Sequence, residues 1–156
     1  MEIGKLILSP APHLHDRMSI PKLMFCVIIA LIPSIIASIY YFGWQSLLII
    51  VLCVSTCVLT EYVILKLRGK KNVLGDGSAI VTGIILALTL PPEIPLFAVF
   101  LGGLVAISIG KQIFGGLGYN IFNPALVGRA FLMATFPVLM TTWTTPFTLD
   151  TLTGAT

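Results

Sequence analysis

Charged side chains are scarce in this 156-residue sequence, and their scarcity excludes a soluble globular domain. Only 10% of the residues are charged, whereas 57% are apolar and the mean hydropathy is +1.05. A soluble domain carries about 25% charged residues. Because so few charges cannot keep such an apolar surface in water, we expect the chain to lie in lipid.

Cysteine and positive charge are also sparse. Three cysteines give no disulfide framework, and two of them, Cys53 and Cys57, fall inside an apolar run. Their spacing places them on one helical face, but two thiols do not complete a metal site, so no metal is expected. The net charge of +3 is too small and too scattered for a nucleic-acid-binding surface.

Long apolar runs predict an all-α polytopic membrane protein. A bilayer core about 30 Å thick needs roughly 20 apolar residues in a helix, and the first two runs reach that length. The third run is shorter and lies between Gly77 and the pair Pro91 and Pro92, which predicts a short or broken helix. About five transmembrane helices are predicted, at residues 23–42, 46–67, 79–90, 95–113 and 124–140.

The positive charges predict an orientation. With a cytoplasmic N-terminus, every Lys and Arg except Arg129 falls on the cytoplasmic side, including Lys111 as a topological marker. Residues 1–22 are then a cytoplasmic leader, residues 23–140 the transmembrane domain and residues 141–156 an extracytoplasmic segment. If the third segment re-enters instead of crossing, Lys111 moves outside and Thr156 inside. The charge distribution favours the crossing.

The last seven residues, 150–156, are small and rich in hydroxyl groups. On composition alone they are an ordinary polar linker. Gly154 and Ala155 offer no bulk that would shield the hydroxyl of Thr156, and glycine lets the backbone bend.

The pattern Asp-x-x-Thr-Gly-Ala-Thr resembles the flavinylation motif, at which a flavin transferase esterifies the phosphate of FMN onto the last hydroxyl. Upstream runs resemble the RnfD/NqrB family, with subunits in the Rnf ion-translocating ferredoxin:NAD oxidoreductase and the sodium-translocating NADH:quinone reductase. The resemblance covers nearly the whole chain, and the short leader favours RnfD over NqrB. The runs are SPAPH at residues 9–13, DGSAIVTG at 76–83, LALTLPP at 86–92 and GKQIFGGLGYNIFNPA at 110–125.

The resemblance implies FMN bound covalently to Thr156, with Asp150, Thr153, Gly154 and Ala155 forming the attachment motif. It further implies a second, noncovalent flavin such as riboflavin, which no motif here locates. The implied fold is built from inverted helical repeats, and family members continue past the flavin acceptor. Because five helices make an incomplete bundle, we expect the N-terminal half of such a fold.

Three further charged residues are candidates for an ion path. Glu61 in the second helix either snorkels to the interface or binds a transported ion. Asp76 either caps the third helix or carries a proton. Arg129 in the fifth helix either pairs with carbonyls or a carboxylate of another helix, or lies near an anionic flavin or its phosphate. The sequence leaves these alternatives open.

The sequence therefore predicts a subunit of a redox-driven translocase in the bacterial cytoplasmic membrane, inactive alone, that couples electron transfer from ferredoxin to NAD with Na⁺ or H⁺ movement. The expected partners are the other subunits of an Rnf-type complex, a flavin transferase and membrane lipid. One alternative is an NqrB-like subunit of the NADH:quinone reductase. Another is a non-redox channel or solute carrier whose short third helix lines a binding site.

Overall fold

The structure, a computed structural model, describes residues 19–69 and 74–147 and the backbone of residues 151–153. These residues form the predicted all-α polytopic membrane fold, with one short β-hairpin added to it. In chain order the elements are α1 (Ile20–Phe42), α2 (Trp44–Leu67), a 3-10 helix (Leu74–Asp76), α3 (Ser78–Leu88), α4 (Leu96–Ile107), a π-helix (Ser108–Gln112), α5 (Pro124–Thr135), α6 (Pro137–Thr141), β1 (Thr142–Thr144) and β2 (Thr151–Thr153).

The first two helices are the long ones. α1 has 23 residues and α2 has 24, and both are apolar enough to cross a membrane. Gly43 alone separates them, with a φ of +71° that glycine adopts without strain. Its N–H donates to the carbonyl of Ile39 at 2.8 Å, which ends α1. The predicted leader, residues 1–22, lies largely outside the described residues, and α1 begins three residues earlier than expected.

Three shorter apolar helical segments follow at the predicted places, although the sequence predicts only the third helix to be short. α3 has only 11 residues and ends before Pro91 and Pro92. α4 continues without a break through the π-helix to Gln112. Asn123 begins α5, because its side-chain oxygen accepts the backbone N–H of Ala125 at 3.0 Å.

The single fifth helix predicted over residues 124–140 is wrong, because the structure divides it into α5 and α6. Phe136 separates the two with φ −130° and ψ 61°. Pro137 has no N–H to donate, and its ring disfavours a helical conformation in the residue before it. The break therefore follows from one proline that the apolar pattern alone does not take into account.

The core lies where α2, α3, α4 and α5 pack against one another, and glycines make the closest contacts. A Cβ added at Gly83 would lie 2.7 Å from the Cα of Val54. A Cβ added at Gly128 would lie 2.7 Å from the carbonyl oxygen of Gly102. Small residues let helix backbones approach closely in membranes, where lipid provides no hydrophobic drive for helix association.

The hairpin lies at the same end of the molecule as two helix connections. β1 and β2 pair antiparallel, with Thr142 opposite Thr153. Gly43 between α1 and α2, Glu93 between α3 and α4, and Phe147 in the hairpin turn line one cavity. We call this end of the molecule the hairpin end.

The segment after α2, the start of α3 and the end of the π-helix lie at the opposite end of the molecule. There the guanidinium of Arg68 after α2 donates to the carbonyl of Gln112 at 2.7 Å. The first residue of α3, Ser78, is hydrogen-bonded to Lys111 near the same place. α3 therefore runs from the opposite end of the bundle to the hairpin end. Whether this segment crosses the membrane or re-enters stays a prediction.

Candidate functional site

The predicted attachment motif, residues 150–156, overlaps the second strand of the hairpin. Thr153 is the last residue of β2, and its backbone pairs with Thr142 directly after α6. Flavin attachment itself stays a prediction, because the other motif residues lie outside the described part of the chain. Those residues are Asp150, Gly154, Ala155 and Thr156.

A second candidate site is a group of polar side chains buried between α2, α3 and the π-helix. Each of its members is at most 9% exposed, in a bundle whose core is mainly apolar. We call this group the polar cluster, and it consists of Glu61, Asp76, Ser78, Lys111 and Gln112. Polar groups buried inside a membrane protein are costly, so a cluster of five is a candidate for function.

Lys111 is the centre of the polar cluster. Its ammonium nitrogen donates to Glu61 Oε1 and to Ser78 Oγ, both at 2.5 Å. Gln112 Nε2 donates to the same oxygen of Glu61 at 3.1 Å. The π-helix supplies both donors, and π-helical turns occur frequently at functional sites. Two consecutive residues of one turn thus bind a single carboxylate oxygen of α2.

Ser78 joins Lys111 to Asp76. While accepting from Lys111, the Ser78 hydroxyl donates to Asp76 Oδ1 at 2.7 Å. The backbone N–H of Ser78 donates to that same oxygen at 2.9 Å, so Asp76 accepts one of the free N–H groups at the start of α3, while Gly77 occupies the N-cap position itself. One hydrogen-bonded chain therefore runs from Glu61 through Lys111 and Ser78 to Asp76.

The charges of the polar cluster do not balance among the residues that form it. With both carboxyl groups and the Lys111 amine ionised, the cluster carries one net negative charge. Glu61 Oε2 is buried and has no hydrogen-bond partner among the described residues. An unpartnered carboxylate oxygen in a net negative site suits a proton or a hard cation, since such cations prefer oxygen ligands.

A cavity of about 390 Å³ gives access to the polar cluster. Ser78 and Lys111 lie on its wall, together with Asn120 and Asn123 from the loop before α5. The cavity is bounded where α5 begins, because Gly110 lets Pro124 approach so closely that an added Cβ would lie 2.8 Å from the Cα of that proline. A small polar ligand can therefore reach the cluster from this cavity.

Two sequence-based interpretations are corrected here. Lys111 does not mark a cytoplasmic surface, because it is 1% exposed and forms an ion pair with Glu61. Glu61 does not snorkel to an interface, because it is 2% exposed. Sequence reasoning also missed the parts played by Ser78 and Gln112. The available signal was one acidic and one basic residue in two separate apolar helices, which a buried pair would explain.

Arg129 lies apart from these contacts. It is half-buried on α5, and among the described residues no hydrogen bond or ion pair to its side chain is present. The structure thus does not join Arg129 to Glu61 and Asp76, the other two residues predicted for an ion path. Its role as a structural arginine or as an anion contact stays a prediction.

Comparison with known proteins places the chain in a family. Residues 7–156 match the NQR2, RnfD, RnfE family. A subunit of the ion-translocating oxidoreductase complex of Haemophilus influenzae (strain PittEE) is 43% identical over 141 residues, which are 89% of this chain and 39% of that protein.

Two further relatives agree with this match. A subunit of the proton-translocating ferredoxin:NAD(+) oxidoreductase complex of Clostridium ljungdahlii is 44% identical over 136 residues, 87% of this chain and 41% of the relative. A subunit of the ion-translocating oxidoreductase complex of Yersinia enterocolitica is 44% identical over 145 residues, which are 92% of this chain and 41% of that relative. The chain spans about two-fifths of the length of these relatives. The extent of the match shows that the chain belongs to the NQR2, RnfD, RnfE family.

Proposed function

We propose that this chain is part of a membrane subunit of an Rnf-type electron-transport complex and carries FMN covalently on Thr156. The complex couples electron transfer from ferredoxin to NAD with the movement of Na⁺ or H⁺. Bound FMN supplies reversible electron transfer, and the chain supplies its tether and surroundings. The observation that carries this proposal is the Asp-x-x-Thr-Gly-Ala-Thr pattern at residues 150–156 in a member of this family.

The hairpin supports the attachment. β2 forms residues 151–153 of the motif, and its pairing with β1 anchors the chain three residues before Thr156. An anchored strand keeps a tethered cofactor close to the membrane domain, while the small residues Gly154 and Ala155 leave the threonine hydroxyl accessible to a flavin transferase. The charge distribution predicts that the hairpin end faces the extracytoplasmic side of the bacterial cytoplasmic membrane. A second, noncovalent flavin stays a prediction without an assigned site.

In-gel fluorescence of the denatured protein tests the attachment. The protein is produced in its native host, or with a flavin transferase, so that it can be modified. The wild type gives a fluorescent band, Thr156→Ser keeps the hydroxyl and stays fluorescent, and Thr156→Val is dark. Thr151→Val is the matched control, because Thr151 lies in β2 outside the fixed motif positions. A fluorescent Thr156→Val would reassign the attachment site, which mass spectrometry of the C-terminal peptide would locate.

Two alternatives are distinguished by different measurements. An NqrB-like subunit of an NADH:quinone reductase also carries the flavin, so it is distinguished by the electron acceptor that membranes containing the complex reduce, quinone or NAD⁺. A non-redox channel or solute carrier would give a dark wild-type band. The short helix α3 beside an accessible cavity is the feature that favours that second alternative.

The polar cluster is the ion-binding part of the proposal. Glu61 Oε2 is the ligand for a proton or Na⁺, and Lys111 holds the other oxygen of that carboxylate in place. Asp76 joins the same chain through Ser78. When a proton or Na⁺ binds, it neutralises the net negative charge of the cluster. Arg129 is kept as a third candidate for the ion path, although the structure gives it no contact with the cluster.

Ion uptake by membrane vesicles that contain the assembled complex tests this assignment. Glu61→Gln removes the negative charge of the carboxylate that has the unpartnered oxygen. Redox-driven ion uptake should therefore fall at least about tenfold, while the amount of covalently bound flavin stays at the wild-type level. Lys66→Met is the control, because it removes an exposed charge from the same helix. Undiminished uptake in Glu61→Gln would remove Glu61 from the ion path and leave the flavin assignment intact.

A further inference from the structure

We propose that the cavity at the hairpin end seats the isoalloxazine ring of the flavin tethered at Thr156. This inference rests on the proposed attachment and names the surface that receives the ring. The cavity measures about 250 Å³ and lies between the α1–α2 turn, the α3–α4 loop and the hairpin. The lining residues that matter here are Tyr40, Tyr41, Gln45, Glu93, Thr144 and Phe147.

An aromatic wall forms one side of the cavity. The rings of Tyr40, Tyr41 and Phe147 meet edge to face, with centroids 5.3 to 5.4 Å apart. These side chains are 70%, 45% and 67% exposed, so ring surface remains free for another planar group. Flat heteroaromatic rings stack on aromatic side chains, as nucleic-acid bases do.

Phe147 is held in a conformation that brings its ring to this wall. Its φ is +65°, and it is the single non-glycine residue with positive φ in the described part of the chain. Its N–H donates to the carbonyl of Tyr41 at 3.2 Å, which fixes the hairpin turn on the last turn of α1. Backbone strain of this kind persists where surrounding contacts over-determine it, and it occurs frequently at ligand-binding sites.

The tether is long enough to reach the cavity. Thr153 pairs with Thr142, and Thr144 on the cavity wall lies two residues along β1, about 7 Å at the rise of a strand. Thr156 follows Thr153 by three residues, which span at most about 11 Å whatever path they take. The phosphate and ribityl chain of FMN add further reach. The ring can therefore lie in this cavity while its phosphate stays on Thr156.

Polar side chains that line the cavity can contact the pyrimidine edge of the isoalloxazine ring. The amide of Gln45 can donate and accept, as the pyrimidine edge of an isoalloxazine requires. Glu93 places a carboxylate on the same cavity, and a negative charge near the ring opposes the gain of electrons. Replacing Glu93 with Gln should therefore raise the midpoint potential of the covalent flavin.

Native flavin fluorescence tests the seating, because a tyrosine ring in contact with an isoalloxazine quenches its emission. In the holoprotein, Tyr40→Leu with Tyr41→Leu should raise native emission per covalent flavin at least about twofold. Tyr62→Leu is the matched control, since Tyr62 lies on α2 about 27 Å along the helix from Trp44. Emission after denaturation should be equal in all three proteins, because covalent attachment does not depend on the seat.

A second measurement needs no substitution. Iodide quenches flavin that solvent can reach, so in the wild type it should quench the seated flavin several-fold less than the flavin of the denatured protein. Native emission that is the same in wild type and double variant, with free access for iodide, would overturn the seating alone and leave the tyrosines as interfacial residues. A wild type without any fluorescent band would overturn the attachment at Thr156, and the seating with it.

Discussion

Lys111 and Glu61 are joined by a contact of 2.5 Å between ammonium and carboxylate, although 50 residues separate them along the chain. Both side chains are almost fully buried, at 2% and 3% exposure. A pair in this setting stabilises the fold less than its short distance suggests, because both charges have lost their water. The loss of one partner alone is costly, because it leaves a buried charge unpaired. The difference between losing one partner and losing both can be measured.

Removal of one partner should destabilise the protein more than removal of both. Lys111→Met leaves Glu61 charged and buried, which costs about 3–5 kcal/mol of unfolding free energy. Lys111→Met combined with Glu61→Gln should cost clearly less. Thermal unfolding in detergent can be followed with a thiol-reactive dye, since Cys53 and Cys57 are buried until the protein unfolds. Cys26→Ser removes the background from the exposed thiol, and equal losses in single and double variants would contradict the pairing.

Two substitutions at Asp76 should separate capping from charge. Asp76→Asn keeps an oxygen that can accept the Ser78 N–H, so stability should change little. Asp76→Ala removes the acceptor and should cost about 1 kcal/mol, as the loss of a helix cap does. If Asp76 carries the transported ion, both variants should lose redox-driven uptake. An Asn variant with normal uptake would restrict Asp76 to its capping role.

Gly128 should not tolerate a side chain. An added Cβ would lie 2.7 Å from the Gly102 carbonyl oxygen and 2.9 Å from the Cβ of Ala106. Gly128→Ala should therefore cost about 1–3 kcal/mol through overpacking, measured by the same unfolding assay. Gly75→Ala is the matched control, because nothing lies within 4 Å of its added Cβ. Equal melting temperatures for the two variants would contradict the close α4–α5 contact.

Residues 75 and 93 should lie on opposite sides of the membrane if the third segment crosses. Gly75 and Glu93 are both exposed and stand before and after α3. In a background without cysteine, Gly75→Cys and Glu93→Cys should react with a membrane-impermeant maleimide from opposite sides of sealed vesicles. Reaction of both from one side would indicate re-entry and would reverse the side assigned to Thr156.

The positions of α1 to α4 and the start of α5 could be predicted from the sequence, because apolar length and helix-breaking residues are local properties. The break before Pro137 was within reach of the same reasoning. The ion pair of Lys111 with Glu61 was missed although each of two apolar helices carries one charge, because each charge also has a plausible local explanation and their contact depends on how α2 packs against the π-helix. The orientation was predicted on the assumption that positive side chains face water. Lys111 does not, because it is buried against the carboxylate of Glu61.

The hairpin could not be predicted from the sequence, for a different reason. Strands of three residues carry almost no periodicity, so Thr142–Thr144 and Thr151–Thr153 give no local signal. Their pairing is stabilised by long-range contacts such as the hydrogen bond from Phe147 to Tyr41. The attachment motif, by contrast, was identifiable from its residues, although their arrangement beyond Thr153 lies outside the described chain.

The distance between the two candidate sites restricts how they can communicate. Glu61 lies 17 positions after Trp44 on α2, about 26 Å along the helix from the hairpin end. At an effective dielectric constant of about 20, two unit charges at that separation interact by only about 0.6 kcal/mol. That is less than half of the roughly 1.4 kcal/mol that a tenfold change in occupancy requires. Under the proposed assignments, the field of an electron at the flavin site is too weak to set the occupancy of the ion site, so strict coupling between them would require displacement of the helices that connect them.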